Sequence, residues 1–241
     1  MPRRRKRRKS GIRPFLVRGA KFAAVAALAM SIGLLSLVLT FRFVDPPASM
    51  VMAVKYLAGA HIRYDWVPLE RMSPELVKTV VMSEDANFCR HSGVDWGEVK
   101  AAIRRAQKRG GEPRGASTIP MQTARNLFLW QRKSYVRKAI EIPLAYAMTA
   151  LWPRRRMIEV YLNIAEWAPG VFGAQAAAKH HFARAAAKIN ARQAAQMAAA
   201  LPNPHVRNAG RPGPKTLRLA RYIEKRVQKE STPLACIYRK K

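Results

Sequence analysis

The sequence predicts a mainly α-helical protein, with one N-terminal membrane-spanning helix followed by a single helical domain. Three observations predict it. Phe22 to Phe41 is twenty residues without a charge, the length that crosses a bilayer as a helix. The chain beyond it is roughly 200 residues, enough for one domain with a real core, and is rich in the helix formers Ala, Leu, Arg, Lys and Gln. No stretch sustains the period-2 alternation of a half-buried strand.

Residues 1–21 form a basic tail with ten Lys or Arg and no acid, seven of them consecutive from Arg3 to Lys9. Alone, such a run suggests nucleic acid. The apolar run beside it changes the reading. A cleavable signal would be shorter and end in a small-residue site, whereas this run continues to Thr40-Phe41-Arg42-Phe43. Residues 22–43 are therefore read as an uncleaved signal anchor. The charge before it and the single Arg42 after it orient the N-terminus to the cytoplasm. The tail then becomes a topology signal with affinity for anionic lipid, and nucleic acid is not expected as a partner.

Residues 44–67, opened by Asp45-Pro46-Pro47, are a juxtamembrane linker and the start of the domain; residues 68–230 are the domain, and residues 231–241 a basic tail. Eleven of the 45 Lys and Arg precede Val44 and all 14 acids come after it, which leaves +20 on the remainder. Its partners should be anionic, and outside a membrane those are phospholipid head groups and diphosphate-linked lipids. Cys89 and Cys236 stand far apart, so a bridge is open but not indicated. No Cys/His cluster has zinc spacing.

Ser73-Pro74-Glu75 starts a helix, with a hydroxyl at the cap and proline at the first position. Val77, Val80 and Val81 share one face, and Glu84 continues it at i+7, i+4 and i+3. Glu84 thus points inward. A carboxylate there is either a general acid or base with a raised pKa or a buried structural partner, and this helix leaves both open. Asp95 to Gly110 is the next helix, opened by a cap pair at Asp95 and Glu98 and closed by Gly110-Gly111. Its Lys100, Arg104, Arg105 and Lys108 face solvent or lipid.

The loop Gly110 to Ile119 leads through Ser117-Thr118, a helix cap, into Gln122, Arg125 and Asn126. Glycines, hydroxyls, amides and a guanidinium suit a polyoxygenated anion, although many helix entries look alike. Arg132 and Lys133 precede a helix from Ser134 that carries Arg137, Lys138 and, one turn later, Glu141. A carboxylate among cations stays ionised, while one on an apolar face does not, and such divergence marks two acids with different tasks. An ordinary i,i+4 surface pair is the competing account of Glu141.

Glu84-Asp85-x-x-Phe88-x-x-His91-x-Gly93-x-Asp95, then Gly115 to Ile119 with Gln122 and Arg125-Asn126, then Arg137-Lys138-x-x-Glu141, then Ile158 to Asn163 (IEVYLN) resemble, in order, the signature motifs of the peptidoglycan glycosyltransferases. The resemblance continues through Gly170, Gly173 and Ala198 to Pro204, covering about Pro68 to Asn208. With no transpeptidase domain following, it is to the monofunctional members rather than the bifunctional penicillin-binding proteins. It implies a lysozyme-like helical fold. It also implies cell-wall chemistry in which the growing lipid-linked glycan passes to the sugar 4-hydroxyl of lipid II, with inversion and release of undecaprenyl diphosphate. Glu84 would be the general base and Glu141 would assist at the donor side. Asp85, Ser117, Thr118, Gln122, Arg125, Asn126, Lys133, Arg137 and Lys138 would bind substrate.

The implied partners are lipid II, the nascent glycan strand, anionic membrane lipids and a cell-wall synthesis or division complex. The implied place is the cytoplasmic (inner) membrane, single-pass, with the catalytic domain periplasmic. No cofactor is required by the sequence; Mg2+ can join a diphosphate beside Glu141, but no protein ligand set is fixed.

Two departures stand out. Met121, after Pro120, replaces a glutamine that would offer an amide to substrate, which puts activity in question, and Arg125 replaces a lysine while keeping the charge. Pro143 should kink the Glu141 helix or shift its start. Glu159, Tyr161 and Asn163 are read as packing and buttressing residues, and the turn Trp167 to Phe172 as a gate. The alternatives to a polymerase are a lytic glycosidase, which has little use for a cation-lined donor site, and a non-catalytic anchored binding protein.

Overall fold

The computed structural model describes residues 12–113, 115–132, 134–230 and 234–238, so most of both basic tails, and Lys133 with them, lie outside the described residues. The chain divides into two compact units, Met1–Val44 and Asp45–Lys241.

Among its described residues the first unit is one helix, α1 (Ile12–Phe41). Its apolar part, Val17–Phe41, is 25 residues at a mean hydropathy of 2.4, long and apolar enough to cross a membrane. The helix begins ten residues before the uncharged run, which has no breaker at its start. Ser31 and Thr40 return their hydroxyls to the carbonyls of Ala27 and Ser36, so these polar atoms are satisfied within the helix.

The second unit is mainly helical. In chain order it comprises α2 (Met50–Leu57), β1 (Arg63–Tyr64), α3 (Pro74–Glu84), α4 (Trp96–Arg109), α5 (Ile119–Phe128), α6 (Tyr135–Leu151), α7 (Arg154–Ile164), β2 (Glu166–Ala168), β3 (Val171–Phe172), α8 (Ala174–Phe182), α9 (Ala191–Ala200), α10 (Pro214–Lys229) and α11 (Ala235–Tyr238). α2 and β1 fall within residues 44–67, the stretch read from the sequence as linker and start of the domain. Side chains cap α4 at Asp95, α5 at Thr118 and α6 at Ser134, as their sequences predict. Ser73 differs, because its hydroxyl makes no cap bond and its N–H donates to the carbonyl of Ala186.

Two groups of helices frame the interior. α3 packs on α9 and α10, and α5 packs on α6 and α7. The valine face of α3 is wholly buried, and so is the alanine face of α9, with Ala194, Ala195, Ala198 and Ala199 inaccessible. Alanine lets helix axes approach closely, which explains a core helix made of so little side chain. A small sheet of order β1-β3-β2, with β1 parallel and β2 antiparallel to β3, was not legible in the sequence. It incorporates the expected gate, and Trp167, Val171 and Phe172 are buried in it, so that segment is packed structure.

α6 runs through Pro143 from the Ser134 cap, so its start is not shifted. The turn from Asp85 to Val94 is fastened from several sides. Gly93, at φ +128°, passes so close to α6 that a Cβ would stand 2.8 Å from the Ala145 carbonyl. Its own carbonyl accepts from Thr118 Oγ1. Arg154 of α7 donates to the His91 carbonyl and lies over the Phe88 ring. Cys89 is joined to Cys236 of α11 by a disulfide, which the sequence left open.

Candidate active site

Glu84 is the last residue of α3, where the buried valine face runs out into a cleft. It is half-buried, and burial pushes its carboxyl up from the ordinary value. A hydrogen bond from Gln122 and the nearby charges of Arg125 and Arg207 partly oppose this, while Asp85 adds to it. The inward acid expected from helical spacing is therefore present and desolvated. Gln122 Nε2 donates to Glu84 Oε2 at 3.0 Å, and Tyr161 Oη donates to Gln122 Oε1 at 3.1 Å.

Asp85 ends the helix, and its carboxylate is already engaged. Its oxygens face His91 Nε2 at 2.9 Å, and Oδ2 accepts from the Ile119 N–H at the start of α5. This is where a helix dipole favours an anion. Thr118 is similarly committed, capping α5 while bonding Gly93. Both residues border the cleft, yet their polar atoms serve the turn that carries Glu84. Asn87, Glu98, Ser117 and Arg226 complete this part of the lining. A second hollow contains Gln122, Arg125, Asn126, Tyr161, Glu166 and His205. Asn126 Oδ1 accepts from Gln131 Nε2 at 3.1 Å.

The other acid lies deeper. Glu141 is fully buried, with Arg137 Nη1 on Oε2 at 2.5 Å and Lys138 Nζ on Oε1 at 2.6 Å. The surface-pair reading fails because α6 turns this face into the domain. Lys138 remains more than a third exposed and also reaches Ser117 Oγ at 3.5 Å. Ser117 in turn offers its carbonyl to Gln122 Nε2 at 3.4 Å, so it joins the cation cluster to the Glu84 side. Arg125 feels both acids: burial lowers its guanidinium from the usual value, and Glu141 and then Glu84 act against that shift. Direct contacts thus link Glu84, Gln122, Ser117, Lys138, Glu141 and Arg137 in one chain, with Asp85 and Thr118 on the first hollow and Arg125 and Asn126 on the second. Lys133 falls outside the described residues.

Met121 is 1% exposed and packs with Val94 and Ala145, with Ile142 and Tyr146 against that cluster. Its side chain faces the core, so the missing amide removes nothing from the cleft. Sequence reasoning missed Tyr161, Arg207 and Arg226. An aromatic on a helix's core face carries no sign that its hydroxyl meets an amide, Arg226 reads locally as an i,i+4 pair with Glu230, and nothing near Arg207 in sequence points to Glu84. Asn163 and Glu159 buttress as expected: Asn163 bonds both Val67 backbone groups, and Glu159 accepts from the Leu69 N–H. Among the described residues no three His, Cys, Asp or Glu side chains converge as a metal site.

The model of the Transglycosylase family matches residues 52–228. The biosynthetic peptidoglycan transglycosylase of Agrobacterium fabrum is 48% identical over 195 residues, 81% of this chain and 85% of its own. That of Rhizobium meliloti is 44% identical over 217 residues, 90% of this chain and 91% of its own. That of Brucella melitensis is 41% identical over 222 residues, 91% and 99% respectively. A desolvated carboxylate at a cleft, a second one locked between two cations, and matches of this extent lead to one conclusion: the chain belongs to the transglycosylase family.

Proposed function

We propose that the chain is a peptidoglycan glycosyltransferase that polymerises glycan strands for the cell wall, transferring the lipid-linked strand to the sugar 4-hydroxyl of lipid II. The observation that carries this is Glu84, a carboxylate raised by burial at the edge of a polar cleft and held by one amide donor. Such a group takes a proton more readily than an ordinary carboxylate and is matched to general-base work. As Glu84 takes the hydroxyl proton, the oxygen bonds the donor's anomeric carbon from the face opposite the diphosphate. The carbon–oxygen bond to the diphosphate breaks, and its electron pair leaves with undecaprenyl diphosphate.

The leaving group needs fixed positive charge. Arg125, Arg137 and Lys138 with one carboxylate, Glu141, present a net +2 to a diphosphate diester of two negative charges. Glu141 holds Arg137 and Lys138 in place with both of its oxygens, so these cations are set before substrate arrives. Where Mg2+ accompanies the diphosphate, the phosphate oxygens are its natural ligands. Gln122, Ser117 and Asn126 supply the remaining polar contacts to sugar and phosphate. A lytic glycosidase needs a second acid free to activate water. Glu141, buried and paired twice, does not fill that role.

On the same reading the chain sits in the cytoplasmic membrane, N-terminus inside and domain in the periplasm. The dense positive charge before the apolar helix supports this. The net +20 of the later residues suits anionic lipid beneath the domain, within a cell-wall synthesis or division complex. The test is lipid II polymerisation by the solubilised full-length chain beside Glu84→Gln and Glu141→Gln, with products sized on a gel. The wild type is expected to make long glycan and Glu84→Gln to lose at least about a hundredfold in rate. Glu141→Gln is also expected to fail. Undiminished polymerisation by Glu84→Gln refutes the assignment of the base.

A further inference from the structure

We infer that Tyr161 is a positioning residue for the transfer reaction, holding the Gln122 amide in place against Glu84 and through it setting the proton affinity of Glu84. The inference rests on the reading of Glu84 as base. A glutamine amide can be placed either way round, and its two ends carry opposite hydrogen-bonding character. Here the nitrogen end has partners that accept only one choice, and the tyrosine hydroxyl holds the oxygen end. Tyr161 Oη donates to Oε1 at 3.1 Å, while Nε2 donates to Glu84 Oε2 at 3.0 Å and to the Ser117 carbonyl at 3.4 Å. Rotating the amide would set its oxygen against a carboxylate and a carbonyl, both acceptors, so these two fix which way round it stands and Tyr161 holds it there.

Tyr161 can keep this role because it is fixed. The side chain is 1% exposed on the core face of α7, and burial raises its phenol well above the ordinary value, so it stays a donor throughout the working range. Without its hydroxyl, the amide loses the contact that anchors Oε1 and polarises its N–H groups toward Glu84. The donor bond that lowers the Glu84 carboxyl then weakens. The other charged groups around Glu84 are Asp85 beside it, Arg125 from α5, Arg207 after α9 and, on the cleft wall, Asp95 and Glu98 at the start of α4 and Arg226 of α10. None of them touches the Gln122 oxygen in the described contacts, so Tyr161 is the group that anchors the oxygen end of the amide.

Charge sets the sign of the effect. A base works ionised, so rate rises with pH through the Glu84 value, and weakening a bond to the ionised form moves that limb to higher pH. In the full-length chain, Tyr161→Phe is expected to move the acid limb of kcat up by roughly one pH unit. The loss would be about tenfold on that limb, with rates converging with wild type at high pH and KM for lipid II little changed. In a Gln122→Ala background the same substitution should add no further shift, whereas a packing role would slow both backgrounds alike at every pH. An unmoved limb in Tyr161→Phe, with Glu84→Gln inactive, overturns the role of Tyr161 alone. Retention of the limb in Glu84→Gln overturns the base and this inference together.

Discussion

Glu84 carries a cost that its chemistry requires. Burial raises its folded-state value above that of an unfolded chain, so the folded protein holds the proton more tightly. Stability from this group is therefore greatest below the ordinary value of 4.5 and declines as pH rises through the raised one. Glu84→Gln should melt higher than wild type at neutral pH while losing polymerisation, with the difference closing as pH falls toward the ordinary carboxylate range. Identical melting curves at every pH would contradict it. At this scale Glu84 was legible, because Ser73-Pro74 fixes where the helix starts and the i+3, i+4 and i+7 spacing then fixes its face. Tyr161 was not, since its partner Gln122 lies 39 positions earlier and only folding brings them together.

Among the elements, α5 shows how a motif and a core face share one helix. Thr118, Met121 and Ala124 turn inward, while Gln122 and Arg125 reach the second hollow. Met121→Gln, which sequence comparison alone would favour as a reversion, puts an amide among Val94, Ala145 and Tyr146. It is expected to cost about 1–3 kcal/mol of stability with no gain in glycan synthesis. Denaturant unfolding beside a polymerisation assay checks this, and a faster variant would sink it. α6 teaches the complementary lesson. Its Ser134 cap and Arg137–Glu141 spacing are readable locally, but the spacing is the same for a surface pair and for a buried cluster. Packing decides, and it leaves Glu141 fully buried.

Across the whole molecule, the Cys89–Cys236 disulfide closes a separation of 147 residues and ties the turn after Glu84 to α11. Closing so long a loop restricts the unfolded chain strongly. Reduction, or Cys236→Ser, is expected to lower stability by about 2–4 kcal/mol, read as a fall in melting temperature with and without reductant. No change on reduction would show that the bridge adds nothing to stability.

By itself the sequence determined the features that depend on near neighbours: the long apolar N-terminal helix and its basic flank, the helical class, the caps at Asp95, Thr118 and Ser134, and an inward Glu84. The ordered motifs added Glu141 and its cations. Only the tertiary structure decided that Asp85 and Thr118 spend their polar atoms on the turn carrying Glu84, that Met121 is core, and that Trp167 to Phe172 is sheet. It alone joined Cys89 to Cys236 and Tyr161 to Gln122. The physical reason is range. Caps and helical faces are set within four residues of chain, whereas the partner of a buried polar atom is chosen by which helices pack together, and that choice is written in no local pattern.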